Sequence, residues 1–378
     1  MAGTRMSASA SVFLPASRPT STTDIFKTGF VPHLCGMLIS ADEFLELRKE
    51  RPVVDVRSQG EFLQGHIPNA NNIPILNNEE RAAVGTDYKQ KGQKAAIKTG
   101  FRLVGPRLND IIESAEQVVK GNEILVHCWR GGMRSSNFCQ FVEMAGIRTH
   151  QLQGGYKAYR QRAVESFTRP FQFMIIGGCT GSGKSEVIRA LAKHGEQIID
   201  LEALAHHKGS AFGALMQPPQ PTTEQFQNSL FEDILKLDLS RRIWIEDESI
   251  AIGKIFLPTD LWNTMSQSPV VEMVVSKEVR IQRLVDEYGG ADRRDFLACM
   301  QRITKKLGGQ NLNAASEMLK LNNMHAVMDI LLTYYDKAYN EGLKRKQNRI
   351  VDRIDWNGAN VAKYVKELTR VTHHNIGT

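Results

Sequence analysis

Phe171-Gln172-Phe173-Met174-Ile175-Ile176-Gly177-Gly178-Cys179-Thr180-Gly181-Ser182-Gly183-Lys184-Ser185 is an apolar run that breaks into a glycine-rich loop. Its last eight residues fit G-x-x-x-x-G-K-[ST], and Glu186 to His194 reads as a helix, which is the strand–loop–helix context the motif requires. Glycines let the backbone approach an anion closely, loop N–H groups cradle its oxygens, and Lys184 adds a point charge. The phosphate-binding set is therefore Gly178, Thr180, Gly181, Ser182, Gly183, Lys184 and Ser185, with Ser185 also placed for Mg²⁺. Cys179 is read as a small filler. Downstream, Ile243-Trp244-Ile245-Glu246-Asp247-Glu248 is an apolar strand ending in acids. Glu246 and Asp247 are candidates for Mg²⁺ through water, although strands also end in acids without a metal. Such a cradle does not establish nucleotide hydrolysis, because any phosphate or diphosphate leaving group could use it.

Further strand candidates around this loop are Gln197 to Asp200, Val270 to Val275 and Ile350 to Ile354. Upstream, Pro52 to Val56 and Glu123 to His127 are short apolar runs with helical stretches between them. Both halves thus read as α/β with parallel sheets. We expect a tail at 1–34, a first domain at 35–162, a linker at 163–170 and a phosphate-loop domain at 171–378 with a helical C-terminal part. Residues 77–98 are polar and rich in Gly, Gln and Lys, an excursion from the first sheet. From Met324, apolar residues recur at Val327, Met328, Leu331, Leu332, Tyr335, Ala338 and Tyr339. That is a helical period, read as a core-facing stripe, with base stacking by the tyrosines as the alternative.

Of the 378 residues, 42% are hydrophobic and 24% charged, the balance of a globular protein, and no apolar run is long enough to cross a bilayer. The net charge of +7 favours polyanionic partners. Five scattered cysteines form no CxxC pair, so neither a dedicated structural metal site nor a disulfide framework is expected. Reduced thiols point to the cytoplasm. The first thirty residues are rich in Ser, Thr and Ala, with Arg5 and Arg18 and no acid before Asp24. They read as a disordered tail, with organellar import left open.

His127-Cys128-Trp129-Arg130-Gly131-Gly132-Met133-Arg134-Ser135 follows a strand and precedes a helix. Converging loop amides, the helix dipole and the charges of Arg130 and Arg134 all favour a thiolate at Cys128, the candidate nucleophile. Gly131 and Gly132 are expected to let the loop turn its amides inward. Cys35, Cys139 and Cys299 have no comparable setting and read as inert. His-Cys-x5-Arg-Ser is equally the pattern of cysteine-dependent phosphatases. Upstream, Asp55-Val56-Arg57, Glu61-Phe62, Gly65-His66-Ile67-Pro68, Ala70 and Ile73-Pro74 together resemble the rhodanese domain, as does Gly154-Gly155-Tyr156 at its close. The excursion at 77–98 departs from a minimal rhodanese domain.

The two units in one chain resemble the tRNA 2-selenouridine synthase family. The likeness includes Asn77 to Gly85, Tyr88-Lys89-Gln90, Asp200-Leu201-Glu202, His206 to Gly213, Gln217-Pro218, Glu246 to Ser249, Ile252-Gly253 and Tyr334-Tyr335-Asp336. It implies a tRNA whose wobble base is 2-thiouridine, with selenophosphate and geranyl diphosphate as co-substrates, no tightly bound cofactor, and Mg²⁺ as an optional ion. The family alkylates the sulfur with a geranyl group and replaces it by selenium. The phosphate loop would then stabilise a departing diphosphate, and Cys128 would attack or carry selenium. Lys89 to Lys98, Arg302 to Lys306 and Lys344 to Arg349 are candidate tRNA phosphate contacts, or simply solvated faces. Two rivals are a cysteine phosphatase fused to a kinase-like domain, and a non-catalytic tRNA- or nucleotide-binding module. The first lacks an identifiable general-acid Asp; the second leaves an intact nucleophile and cradle unused.

Overall fold

The computed structural model describes residues 36–371; the expected tail and Cys35 lie outside them. Two five-stranded parallel sheets organise the chain. The first comprises β1 (Met37–Ile39), β2 (Val53–Asp55), β3 (Asn71–Asn72), β4 (Glu123–His127) and β5 (Arg148–Leu152), in the order β1-β5-β4-β2-β3. The second contains β6 (Phe173–Gly178), β7 (Gln197–Ile199) and β8 (Ile243–Glu246). A small antiparallel pair, β9 (Ala251–Ile252) and β10 (Ile255–Phe256), precedes its last strands, β11 (Val270–Val274) and β12 (Ile350–Asp355). The second order is β12-β11-β6-β8-β7.

Strands β4 and β6 are central, and β6 is buried along its whole length. Burial on both faces requires the continuous apolar runs read above, since helices cover each side of a parallel sheet. In each sheet the strand beside the central one connects to the opposite side (β2 to β3, and β11 to β12) from the central strand (β4 to β5, and β6 to β7). The loop leaving its C-terminal end therefore lies where strand order reverses, which is where open α/β sheets bind ligands. The cysteine loop leaves β4, and the phosphate loop leaves β6.

The excursion at 77–98 is a pair of helices, Asn78–Lys91 and Gln93–Val104, joined at Gly92. Asn77 opens it with a capping box: its side chain accepts from Glu80 N at 2.9 Å, and the Glu80 carboxylate accepts from Asn77 N at 2.8 Å.

The expected linker at 163–170 is not a spacer throughout. Helix Gly155–Ser166 runs into it, Ala163 and Ser166 are buried, and Phe167 is 2% exposed. This helix packs on Thr223–Ile234 of the second unit, joining Tyr156, Tyr159 and Phe167 with Phe226, Leu230 and Phe231 in one core. Among the described residues no helix is long and apolar enough to cross a membrane.

Candidate active site: the cysteine loop and the phosphate loop

Cys128 is 3% exposed at the end of β4. The Ser135 hydroxyl, in the first turn of helix Met133–Met144, donates to its sulfur at 3.2 Å. Gly132 O accepts from the thiol at 3.9 Å, whereas three other loop carbonyls are taken up by donors outside the loop. Cys128 O accepts from Tyr156 N at 2.8 Å, Trp129 O from Lys157 N at 3.0 Å, and Gly131 O from Gln151 Nε2 at 2.8 Å. Gly131 has φ +67, and a Cβ there would meet Leu152 O at 2.8 Å, so only glycine fits. Gly132 differs from expectation. Its φ of −99 suits any residue, and nothing stands within 4 Å of an added Cβ. The turn is thus made by Gly131, aided by Gly155, where a Cβ would strike Cys128 O at 2.4 Å.

Burial pushes the Cys128 thiol up. The hydrogen bonds from Ser135 and Arg130 and the charge of Arg134 outweigh it, leaving the thiol below its ordinary range. Arg134 is also held by Glu61, with Nη1 2.6 Å from Oε2. Arg130 is exposed at the rim. Behind the loop, the buried Arg57 grips Asp55 at 2.6 Å, bonds Gly65 O at 2.7 Å, and lies 3.9 Å from the Tyr156 ring centroid. Asp55, Arg57 and Gly65 thus frame the loop from behind. Burial lowers the pKa of His127, which packs there as a neutral ring.

In the phosphate loop, Gly181 and Gly183 have φ of +81 and +86, and a Cβ at Gly183 would come within 2.5 Å of Arg283. Lys184 Nζ donates to Gly178 O at 3.2 Å. Thr180 O accepts from Arg280 at 3.3 Å, and Arg280 is fixed in turn by both oxygens of Asp336 at 2.7 and 2.8 Å. Ser182 is fully buried, and its hydroxyl has no partner.

The expected Mg²⁺ set is rearranged. Ser185 donates to Glu202, a residue the sequence reading left without a role. Asp247 is paired with Lys346, 2.6 Å from Nζ to Oδ2, and faces that cation. Glu246 is buried; one oxygen accepts from Leu201 N at 3.0 Å and the other has no partner. Burial, then Asp200 and Glu202, hold Glu246 well above the carboxylate range; burial, then Glu202, push Glu248 up to about 8. Crowded carboxylates beside a serine hydroxyl are a set that a divalent cation would relieve, so Ser185, Glu202 and Glu246 fit the ion, whereas Asp247 does not. Among the described residues no group of three or more His, Cys, Asp or Glu forms a metal cage.

Two cavities flank this loop. A charged one of about 640 Å³ is lined by Arg189, Lys208, Arg283 and Glu287. The other, about 510 Å³, is lined by Lys184 and Ser185 together with Trp262, Tyr288, Tyr335 and Tyr339. The stripe on helix Met324–Lys346 therefore divides. Val327, Met328, Leu331 and Leu332 are core, whereas Ala338 and Tyr339 line the cavity and Tyr335 reaches both. A change from core to cavity along one helical face leaves no trace in the hydrophobic period, because both need apolar side chains.

Of the basic segments, Lys89, Lys91, Lys94, Lys98, Arg302, Lys305, Lys306, Lys344 and Arg345 are exposed. Lys346 is committed to Asp247, and Arg349 to the carbonyls of Met265 and Ser268 at 3.1 and 2.9 Å.

Residues 171–371, more than half of the chain, match the family model of the tRNA 2-selenouridine synthase AAA domain. Residues 40–162 match that of the rhodanese-like domain. Two solved structures are similar in part. The N-terminal domain of a protein described as ATP/GTP-binding, from Clostridium difficile 630, is 40% identical over 33% of this chain and 96% of that one, with a TM-score of 0.30. A rhodanese-related protein from Thermoplasma volcanium is 21% identical over 33% of this chain and 91% of that one, with a TM-score of 0.22. A rhodanese-like unit thus precedes an AAA domain specific to enzymes that modify the tRNA wobble uridine, and the chain belongs to the tRNA 2-selenouridine synthase family.

Proposed function

We propose that the two loops carry out successive steps on one tRNA base, S-geranylation of wobble 2-thiouridine and then replacement of the sulfur by selenium. In the first step the sulfur attacks C1 of geranyl diphosphate. The C–S bond forms, the C–O bond breaks, diphosphate leaves with the electron pair, and the N3 proton passes to water. Lys184 and the loop amides meet the charge that develops on the diphosphate. Tyr335, Tyr339 and Trp262 give the hydrocarbon an aromatic wall within the same cavity. Mg²⁺, where bound, would be held by Ser185, Glu202 and Glu246 and would supply further charge neutralisation.

At the cysteine loop so buried a thiol admits a small reactant rather than a whole base, which favours selenophosphate there. Thiolate attack on phosphorus forms S–P, breaks P–Se and releases hydroselenide, with the phosphoryl group later hydrolysed to phosphate. Hydroselenide then attacks C2 of the alkylated base, and geranylthiol leaves with a proton. No oxidant is needed, whereas a perselenide on Cys128 would require one. Exposed basic residues such as Lys94, Lys98 and Arg302 are proposed to contact the tRNA backbone.

The observation that carries this reading is the inward-facing loop around a low-pKa Cys128, joined through one core to a phosphate cradle with an aromatic chamber. Nucleoside mass spectrometry of 2-thiouridine tRNA given both co-substrates tests it. Cys128→Ser is expected to accumulate the S-geranyl nucleoside without 2-selenouridine; unchanged 2-selenouridine would remove Cys128 from the chemistry.

A further inference from the structure

The helix pair Asn78–Lys91 and Gln93–Val104 encloses, with the helix behind Cys128, a cavity of about 320 Å³. That is the size of a small-molecule site. Leu76, Val84, Ala96, Ile97 and Phe141 make its wall almost wholly apolar. Met133 and Arg134, from the first turn after the cysteine loop, are part of its lining. Leu76 and Val104 of the wall also belong to the core cluster that contains Cys128.

Two observations separate this space from a packing defect. Gly100 lies inside the helix Gln93–Val104, where glycine is disfavoured relative to alanine. An added Cβ there would meet nothing within 4 Å, so no protein neighbour demands the glycine, yet a side chain would enter the hollow. The second is that Tyr88, Phe101 and Met133 stay 60, 56 and 50% exposed along the wall rather than collapsing inward, although protein interiors close-pack wherever they can.

We infer that this cavity seats the uncharged isoprenyl chain of the S-alkylated wobble base while C2 of that base faces the cysteine loop. The inference rests on the proposal that alkylation precedes selenium entry. Once diphosphate has left, the hydrocarbon is the feature that distinguishes the alkylated base from 2-thiouridine. An apolar chamber beside an anion-binding loop reads that difference, and each buried methylene is worth roughly fourfold in affinity. The cavity therefore selects the intermediate for the second step.

The test uses the full chain and a stem-loop RNA carrying S-geranyl-2-thiouridine, with an S-methyl RNA for comparison, so the first step is bypassed. Wild type should bind the S-geranyl RNA at least about tenfold more tightly than the S-methyl RNA. Gly100→Leu should abolish that preference and raise KM for selenation at least tenfold, while geranylation of 2-thiouridine RNA stays unchanged. Gly100→Ala, which improves the helix and leaves the chamber open, should behave as wild type. Equal binding of the two RNAs by wild type, or an undiminished preference in Gly100→Leu, overturns the inference even if selenation proceeds. Chain-dependent binding without any selenation would instead sink the proposed function and leave the chain site standing.

Discussion

The Ser135 hydroxyl stands 3.2 Å from the Cys128 sulfur and donates to it, although both side chains are buried. A hydrogen bond to a charged group is worth about 1.5–3 kcal/mol, so its loss corresponds to roughly one pKa unit or more. Iodoacetamide labelling, followed peptide by peptide across pH, should show Cys128 inflecting below an ordinary thiol. Cys179 and Cys299, whose thiols burial pushes up, should react later. Because the thiolate is the reactive form, Ser135→Ala should move the Cys128 inflection upward and slow labelling at pH 7 by about tenfold.

A second expectation concerns Glu248. Its proton is held more tightly in the folded chain, up to about 8, than in the unfolded chain. Stability contributed by that proton is present at low pH and lost as pH rises from the ordinary carboxylate range through about 8. Thermal unfolding without Mg²⁺ should therefore fall by a few degrees across that window, at ~2–4 °C per kcal/mol for a domain of this size. Glu248→Gln should flatten the decline, and Mg²⁺ should restore Tm in wild type but not in Glu202→Ala. A Tm insensitive to pH in wild type would contradict the carboxylate crowding.

Asn228 is the polar centre of the contact between the two units. It donates to His66 O at 2.8 Å and to Tyr156 Oη at 2.7 Å, and accepts from Arg160 at 2.7 Å. Asn228→Ala leaves a carbonyl and a guanidinium short of partners at a fully buried position, which should cost about 2–4 kcal/mol in urea unfolding. Destabilisation below about 0.5 kcal/mol would mean that water replaces these bonds.

Tyr339 offers a test with opposite signs. Its buried hydroxyl has no partner and borders the phosphate-loop cavity. Tyr339→Phe should stabilise the protein by roughly 1 kcal/mol, since an unsatisfied group is removed. If the hydroxyl meets the diphosphate ester, the same change should raise KM for geranyl diphosphate several-fold. Higher Tm with unchanged KM would confine Tyr339 to shape alone.

Much of this was legible because two loops carry dense local patterns. Cys128 to Ser135 and Gly178 to Ser185 each place glycines, a charge and a helix start within eight residues, and the strands feeding them are continuous apolar runs. What was not legible depends on partners far away in the chain. Ser185 meets Glu202, and Asp247 is neutralised by Lys346, ninety-nine positions away. The linker expected at 163–170 begins inside helix Gly155–Ser166, whose buried face is completed by Phe226 and Phe231 from far along the chain. The chain chamber was hidden for a similar reason. Helix Asn78–Lys91 has no buried residue, and its contribution to an apolar wall comes from Val84 and Tyr88 alone.

The single core shared by the helices Gly155–Ser166 and Thr223–Ile234 has a kinetic consequence. Tyr159 and Phe231 pack edge to face at 5.4 Å, and Phe171 stacks on Phe173 where the chain enters the second sheet. A joint built this way does not swing like a tethered carrier arm. On the two-step reading the nucleic acid is therefore the moving part, and the anticodon loop must withdraw from one mouth and re-enter the other. The alkylated tRNA is then a diffusible species. Its abundance in the cell would report the balance between release and recapture rather than the speed of either chemical step.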